Sequence, residues 1–359
     1  MLILSNEDIE QVVSMKDCIE ALESVHLDLA KGDADHIRRM DIYAPCERDD
    51  GYLRWSISEG VTRSLGTVAI RIKSDVLFWP EGKTVEWYSV EPGTYCGLIM
   101  LYSTANAEPL ALMQDGIISH MRSGGSAGLG AKFMARNDAS TVGLLGSGGM
   151  ARSYLEAFRE VRNISRVLVF SPTKEHREEY AEEITRTMNI ICEAVDRPEL
   201  ACKGVDILAS CTDSMKPTIQ ASWLEPGVHI TDCKPEEIGP DVLDRCDVKV
   251  RLGKTDSTPV NPALSAIGQY TQVVIGQPQE IDRIPRVKSR DSRGLPSLVD
   301  LLNGKEKGRT SPSQVTYFAN DGNQGLQFVA VATRAYERAR DKGLGNKIPP
   351  EWLLQHIRD

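Results

Sequence analysis

A chain of 359 residues is long for a single ordinary domain and predicts about two. Its 41% hydrophobic and 26% charged residues describe a globular protein with material for a large core, and a formal net charge of −9 disfavours nucleic acid or an anionic membrane surface as partner. No apolar run approaches membrane-spanning length, and the N-terminal residues show neither a basic flank nor a cleavage site, so the expectation is a cytoplasmic protein with no membrane partner.

The first elements in chain order are helical. Ser5, Asn6, Glu7 and Asp8 form a capping run ahead of Ile9, Val12 and Val13, and Ile19, Leu22, Val25 and Leu29 recur at helical spacing until Gly32. Strand-like runs follow at 36–43, 52–57, 67–73, 85–88, 98–102 and 110–113, with short turns between them, which predicts a mainly antiparallel sheet. A helical pattern resumes near Ser119 and continues through Arg136. Strands at 141–145, 166–170, 189–192, 205–210, 228–231 and 248–251 then alternate with helical stretches such as 175–186, the pattern of a doubly wound parallel α/β sheet. Between 255 and 294 the period is lost, and that stretch is either an excursion over a cofactor crevice or a surface segment. Order returns at 295–302 and 315–318, and a long helix covers 326–340. The 8 cysteines include no C-x-x-C pair and the 6 histidines no pair at metal-ligand spacing, so we expect reduced thiols and no metal.

The chemistry begins where the strand 141–145 breaks into Gly146, Ser147, Gly148, Gly149, Met150 and Ala151 and then into a helix with Leu155 and Phe158 on one face. This is strand, glycine turn, helix, with the spacing G-x-G-x-x-A. Gly146 permits the turn, Gly148 lets a pyrophosphate approach the backbone, and Ala151 lets the helix pack close to the sheet, so the motif predicts a Rossmann dinucleotide site. The second strand of such a fold ends in Asp or Glu when it binds the ribose hydroxyls of NAD. Here it runs into Ser171, Pro172, Thr173 and Lys174, with Arg177 one turn on. Hydroxyl and cationic groups there favour NADP(H) over NAD(H), although Ser171 and Thr173 could also serve as helix caps.

Several separate stretches resemble the ornithine cyclodeaminase/μ-crystallin family: Pro109-Leu110-Ala111-Leu112-Met113, Met121-Arg122-Ser123-Gly124, Ser210-Cys211-Thr212 with Pro217, Trp223 through His229, and Ser313 through Phe318. The resemblance implies a homodimer of two-domain subunits, with residues 1–122 and 315–359 forming an α+β substrate and dimerisation domain and residues 123–314 the NAD(P)-binding domain. It also implies that Cys211 and Thr212 border the cofactor. The activity implied is hydride transfer to or from a small imino or amino acid, as in an imine reductase or amino-acid dehydrogenase. Cyclisation of ornithine to proline with release of ammonia, and NADPH and small-ligand binding without turnover, are the alternatives.

Guanidinium groups hold a carboxylate with paired hydrogen bonds. Arg122 matches the family's carboxylate-binding arginine, and Arg39, with Arg38 as a competitor, resembles the N-terminal one. Arg71 and Lys73 share one face of their strand, and Lys73 has the residue type of the family's lysine. Asp232, in an Asp232-Cys233 pair, resembles the family's acid that assists the amine chemistry and is by that resemblance the expected proton carrier toward the nitrogen, while Asp321 is a further candidate acid near the nicotinamide for which a turn-forming role in Asn320-Asp321-Gly322 is favoured. Two departures weaken cyclisation: the glycines before Asp232 are missing, and Phe328 stands where the family usually has Asp.

Overall fold

The structure, a computed structural model, describes residues 1–87, 94, 96–253, 264, 267–286, 290–292 and 294–357. Reciprocal caps start its first two helices, α1 (Asn6–Glu10) and α2 (Met15–Lys31). The Asp8 N–H donates to Ser5 Oγ at 3.2 Å while the Ser5 N–H donates to Asp8 Oδ2 at 3.0 Å, and Ser14 and Asp17 repeat the exchange. Each such cap stabilises its helix by about 1 kcal/mol. α2 stops at Gly32, where φ is +81° and a side chain would be strained.

The first sheet begins with β1 (Leu2–Leu4) and continues through β2 (Ala34–Pro45), β3 (Gly51–Thr62), β4 (Thr67–Phe78), β5 (Val85–Trp87), β6 (Cys96–Ser103) and β7 (Pro109–Gln114). Residue 88 of the expected strand 85–88 lies outside the described residues. Strands β2, β3, β4, β6 and β7 are consecutive antiparallel neighbours, as expected, and β1 adds in parallel to β7. Burial alternates along β4 and β7, so each strand has one sealed and one more open face. The open face carries Ile37, Ile42, Trp55 and Val61, all more than a third exposed.

Helix α3 (Gly116–Met134) runs unbroken across the 122/123 boundary drawn from the sequence and leads into the second sheet. Its elements are β8 (Thr141–Leu145), α4 (Gly149–Val161), β9 (Arg166–Phe170), α5 (Lys174–Met188), β10 (Ile191–Ala194), β11 (Ile207–Ser210), β12 (His229–Asp232), α6 (Pro240–Arg245) and β13 (Val248–Arg251). The chain then gives β14 (Thr271–Val274), α7 (Pro278–Ile281), α8 (Leu298–Leu302), β15 (Thr316–Ala319), α9 (Gln324–Lys342) and β16 (Asn346–Lys347).

The second sheet has the order β10-β9-β8-β11-β12-β15-β13 with every pairing parallel, which makes the fold α/β with a Rossmann-type sheet. The chain winds outward from β8 to β10 and resumes at β11, so the switch point lies between the C-terminal ends of β8 and β11. Tyr154, Leu155 and Phe158 of α4 are fully buried against this sheet, each stabilising the packing by roughly 1.5–3 kcal/mol.

The stretch without period sends part of itself back to the first sheet. β14 pairs in parallel with the edge strand β2, and the Asp41 N–H donates to the Tyr270 carbonyl at 2.9 Å. Further on, the Arg290 N–H donates to the Pro235 carbonyl just beyond β12. The described part is anchored at one end on the first sheet and at the other beside the strand ends of the second. The final helix returns across the first sheet. A Cβ at Gly325 would collide with the Glu59 carbonyl, so glycine lets the start of α9 rest directly on β3. Among the described residues no helix is long and apolar enough to cross a membrane.

Candidate active site

The glycine turn stands at the switch point. Gly146 has φ +104°, and a Cβ there would strike the Cys211 carbonyl, so the β8 turn and the loop after β11 touch backbone to backbone. A Cβ on Gly148 would meet nothing within 4 Å, and this residue caps α4 without a side-chain hydrogen bond. The first turn of α4 thus presents N–H groups beside an open cradle, which suits a pyrophosphate. Ser147, Gly149, Met150 and Ala151 complete the turn, and Ala151 is fully buried against the sheet.

At the end of β9, Ser171 is buried and Thr173 caps α5 without a side-chain hydrogen bond. Arg177 Nη1 donates to the Ser171 and Pro172 carbonyls at 2.9 and 3.3 Å, and Lys174 pairs loosely with Glu178 at 3.7 Å. On the other side of the turn, the Thr212 hydroxyl donates to Glu237 Oε1 at 2.7 Å. Glu237, which the sequence reading passed over, also accepts from the Ser210 hydroxyl and from the Thr212, Cys233 and Lys234 N–H groups. It is fully buried and ties the loops after β11 and β12 together, with only an unremarkable Pro-Glu-Glu run as signal.

A floor of cations lies on the sealed face of the first sheet. The register pairs Ser58 with Arg71, Ser56 with Lys73 and Arg54 with Asp75, so these side chains share a face. Arg71 is buried and bonded to Asp115 through Nε at 2.6 Å and Nη2 at 2.5 Å. Lys73 Nζ lies 2.8 Å from Glu86 and 3.0 Å from Asp75, and Arg54 reaches the same two carboxylates. Burial lowers the Lys73 pKa, with Glu86 working against the shift. Arg39 bonds Asp41 through Nε at 2.7 Å and Nη2 at 3.1 Å, while Arg38 turns to the Gln269 carbonyl. Both guanidinium groups lie over the Tyr270 ring, at 5.4 Å for Arg38 and 5.3 Å for Arg39.

Arg122 differs from these. Among the described residues its side-chain hydrogen bond runs from Nη1 to Gln327 Oε1 at 3.2 Å, and its Nε is sealed from solvent with no partner. It lies 5.0 Å from the centre of the Phe328 ring, which Arg71 shares at 5.1 Å. Burial first, then the Arg71 charge, pushes its pKa down to about 10. Among the described residues no anion pairs with this charge, and a carboxylate would supply one.

The two acids expected to handle protons are placed otherwise. Asp232, at the end of β12, accepts from Arg290 Nε at 2.7 Å and Nη2 at 3.0 Å, from the Tyr317 hydroxyl at 2.7 Å and from the Asn320 N–H at 3.2 Å. Its side chain is 1% exposed, so it has neither a free lone pair directed at a ligand nor a path to solvent. Asp321, just after β15, accepts from Arg290 Nη1 at 3.0 Å and from the Ser292 hydroxyl. The sequence reading favoured a turn-forming role for it, whereas the side chain is a buried ion-pair partner. Arg290 itself lay in the stretch without period, where nothing in the residue pattern marks it. Tyr270 was missed for the same reason.

A family model described as "Ornithine cyclodeaminase/mu-crystallin family" matches residues 1–343. The chain belongs to this family. It is 26% identical to an alanine dehydrogenase of Archaeoglobus fulgidus over 97% of this chain and 98% of that protein. Among solved structures it is similar to Thermococcus litoralis Δ1-pyrroline-2-carboxylate reductase in complex with NADH and L-proline, with TM-score 0.76, 24% identity, and coverage of 97% of this chain and 100% of that one. An archaeal alanine dehydrogenase dimer with bound NAD is similar with TM-score 0.72 and 24% identity, covering 97% of this chain and 99% of that one.

Proposed function

We propose that this protein is a nicotinamide-dependent oxidoreductase that passes hydride to or from the α-carbon of a small imino or amino acid. The observation that carries the reading is Arg122 of α3, a guanidinium with no anion among the described residues, which shares the Phe328 ring with Arg71 of the cationic floor. Bound NAD(P)H would supply the hydride, and the open cradle at Gly148 with the uncapped start of α4 would hold its pyrophosphate. Arg122 would take the substrate carboxylate, with Arg39 and Lys73 beside it setting the approach of the α-carbon. Lys73, whose pKa burial lowers, is suited to give up a proton to the nascent amine. Asp232 would serve as an anchor, since its oxygens are already engaged.

The finer cofactor choice rests on the end of β9. No carboxylate stands there, and Ser171, Thr173, Lys174 and Arg177 offer hydroxyl and cationic groups to a 2′-phosphate, which supports NADP(H). In Ser171→Asp the affinity ratio of NADPH to NADH, read by fluorescence titration, should fall about tenfold. A ratio that stays put rejects the assignment.

The open apolar face of the first sheet suits a second copy of this chain as partner, since exposed hydrophobic surface of this kind marks association sites. Sedimentation should show a dimer that Trp55→Lys disperses.

The direct test of activity follows NADPH absorbance with 2-oxo acids plus ammonia or methylamine, and with cyclic ketimines. Oxidation with one of these classes is expected. No oxidation with any of them, alongside tight NADPH binding, would favour the non-catalytic alternative.

A further inference from the structure

We propose that Phe328 is a positioning residue for the carboxylate site: its aromatic ring holds the Arg122 guanidinium in place while leaving the positive charge whole for the ligand. This role rests on the imino-acid reading above, in which Arg122 takes the ligand's carboxylate. It belongs to a position at which the last helix departs from the family pattern.

Three elements meet at this ring. Phe328 stands near the start of α9 and is fully buried, and that end of the helix is set against β3 by the backbone contact at Gly325. Arg122 reaches the ring from α3 and Arg71 reaches it from β4, with guanidinium carbons 5.0 and 5.1 Å from its centre. Both lie inside the roughly 6 Å over which the electron-rich face of an aromatic ring attracts a cation.

The two arginines are otherwise held differently. Arg71 is bonded to Asp115, so an anion of the protein answers its charge. Arg122 is held, among the described residues, by neutral groups alone: the ring, and Gln327 Oε1 at 3.2 Å. Gln327 is itself oriented, since its Nε2 donates to the Gly322 carbonyl at 2.7 Å while the Ser126 hydroxyl donates to Oε1 at 3.4 Å. Two consecutive residues of α9 thus supply the hold, one through a hydrogen bond and the other through a π face.

The side chain at 328 decides what that hold does to the charge. A carboxylate there would attract both guanidinium groups strongly, but it would neutralise the site and compete with the carboxylate of the ligand. An aliphatic chain would fill the space and leave two like charges with nothing attractive between them, where burial and the Arg71 charge already oppose an ionised Arg122. A phenyl ring attracts the cation without cancelling it, and it needs no hydrogen bond of its own when buried.

The test replaces Phe328 site-specifically by 4-fluoro-, 3,4,5-trifluoro- and pentafluorophenylalanine, which keep the shape of the ring while draining electron density from its face. L-Alanine, L-proline and L-lactate serve as carboxylate probes in calorimetric titrations of the enzyme saturated with oxidised cofactor. Each probe that the wild type binds should bind more weakly at every step of the series, reaching about tenfold at five fluorines, while the urea midpoint stays near that of the wild type. In turnover, KM should rise in parallel and kcat change little, because a bound carboxylate itself holds Arg122. Phe328→Leu should weaken the same probes about tenfold or more. Affinities that do not follow the fluorine count among the variants that fold make the ring a packing element only, which overturns this inference and leaves the imino-acid reading standing. Wild-type affinity in Phe328→Leu does the same. A wild type that binds none of the probes overturns the imino-acid reading itself, and this inference with it.

Discussion

Two of the arginines that reach into the interior of this protein keep opposite company. Arg290 is closed off from solvent and saturated, with Asp232 and Asp321 on it. Burial works against its charge, yet Asp232, with Tyr317 and Asp321, outweighs that cost and holds its pKa well above the ordinary value. Arg122 has a glutamine and an aromatic ring but, among the described residues, no anion, and its pKa falls. The same guanidinium is thus fastened into the fold in one region and left waiting in the other. A buried charge with its partners present is part of the architecture, whereas one with no anion among the described residues is what a ligand carboxylate would pair with.

The contrast breaks most visibly if Arg290 turns out dispensable. Removing it strands two buried carboxylates, so Arg290→Ala should lower stability by about 3–5 kcal/mol, seen as a shifted urea midpoint. A midpoint equal to that of the wild type would mean that the triad does not anchor the strand ends. Arg122→Ala should act in the opposite sense. KM for the substrate should rise about a hundredfold, while the urea midpoint holds or increases, because an unpaired charge has left the interior. A fold weakened as much as by Arg290→Ala would erase the distinction.

Glu86 sharpens the comparison from the carboxylate side. Burial alone would raise its pKa, but Lys73 and Arg54 together hold the carboxyl well below the ordinary range. A carboxyl whose pKa is depressed in the folded state contributes stability that is fully present above its unfolded value, about 4.3, and lost as pH falls further. Thermal melts between about pH 6 and 3 should therefore show Glu86→Gln losing less stability on acidification than the wild type. Parallel curves would assign the acid sensitivity elsewhere.

How much of this was legible in the residues follows from what each feature depends on. The glycine turn is local, since strand, turn and helix lie within 141–161, and its spacing states the backbone requirement outright. The caps at Ser5 and Ser14 and the stop at Gly32 are local in the same way. Arg71 and Lys73 were readable as one face because a strand alternates with period two, but their partners were not: Asp115 and Glu86 come from 44 and 13 residues away. The triad was beyond reach. Asp232 and Arg290 are 58 residues apart, and a stretch without period gives no warning of where it will fold back. Asp232 was expected to carry protons from its likeness to the family's Asp-Cys pair, and a tertiary contact engages its oxygens.

The central claim is that hydride moves between a nicotinamide and the α-carbon of a ligand held at Arg122. It is tested most directly by incubating the enzyme with NADPH deuterated at the transferring position and a panel of α-imino acids, then locating the label by mass spectrometry and NMR. The account predicts deuterium on the α-carbon of an amino-acid product, with transfer by Arg122→Ala about a hundredfold slower at the same subsaturating substrate concentration. Label that stays on the cofactor with every substrate, or that reaches product equally well without Arg122, would contradict it.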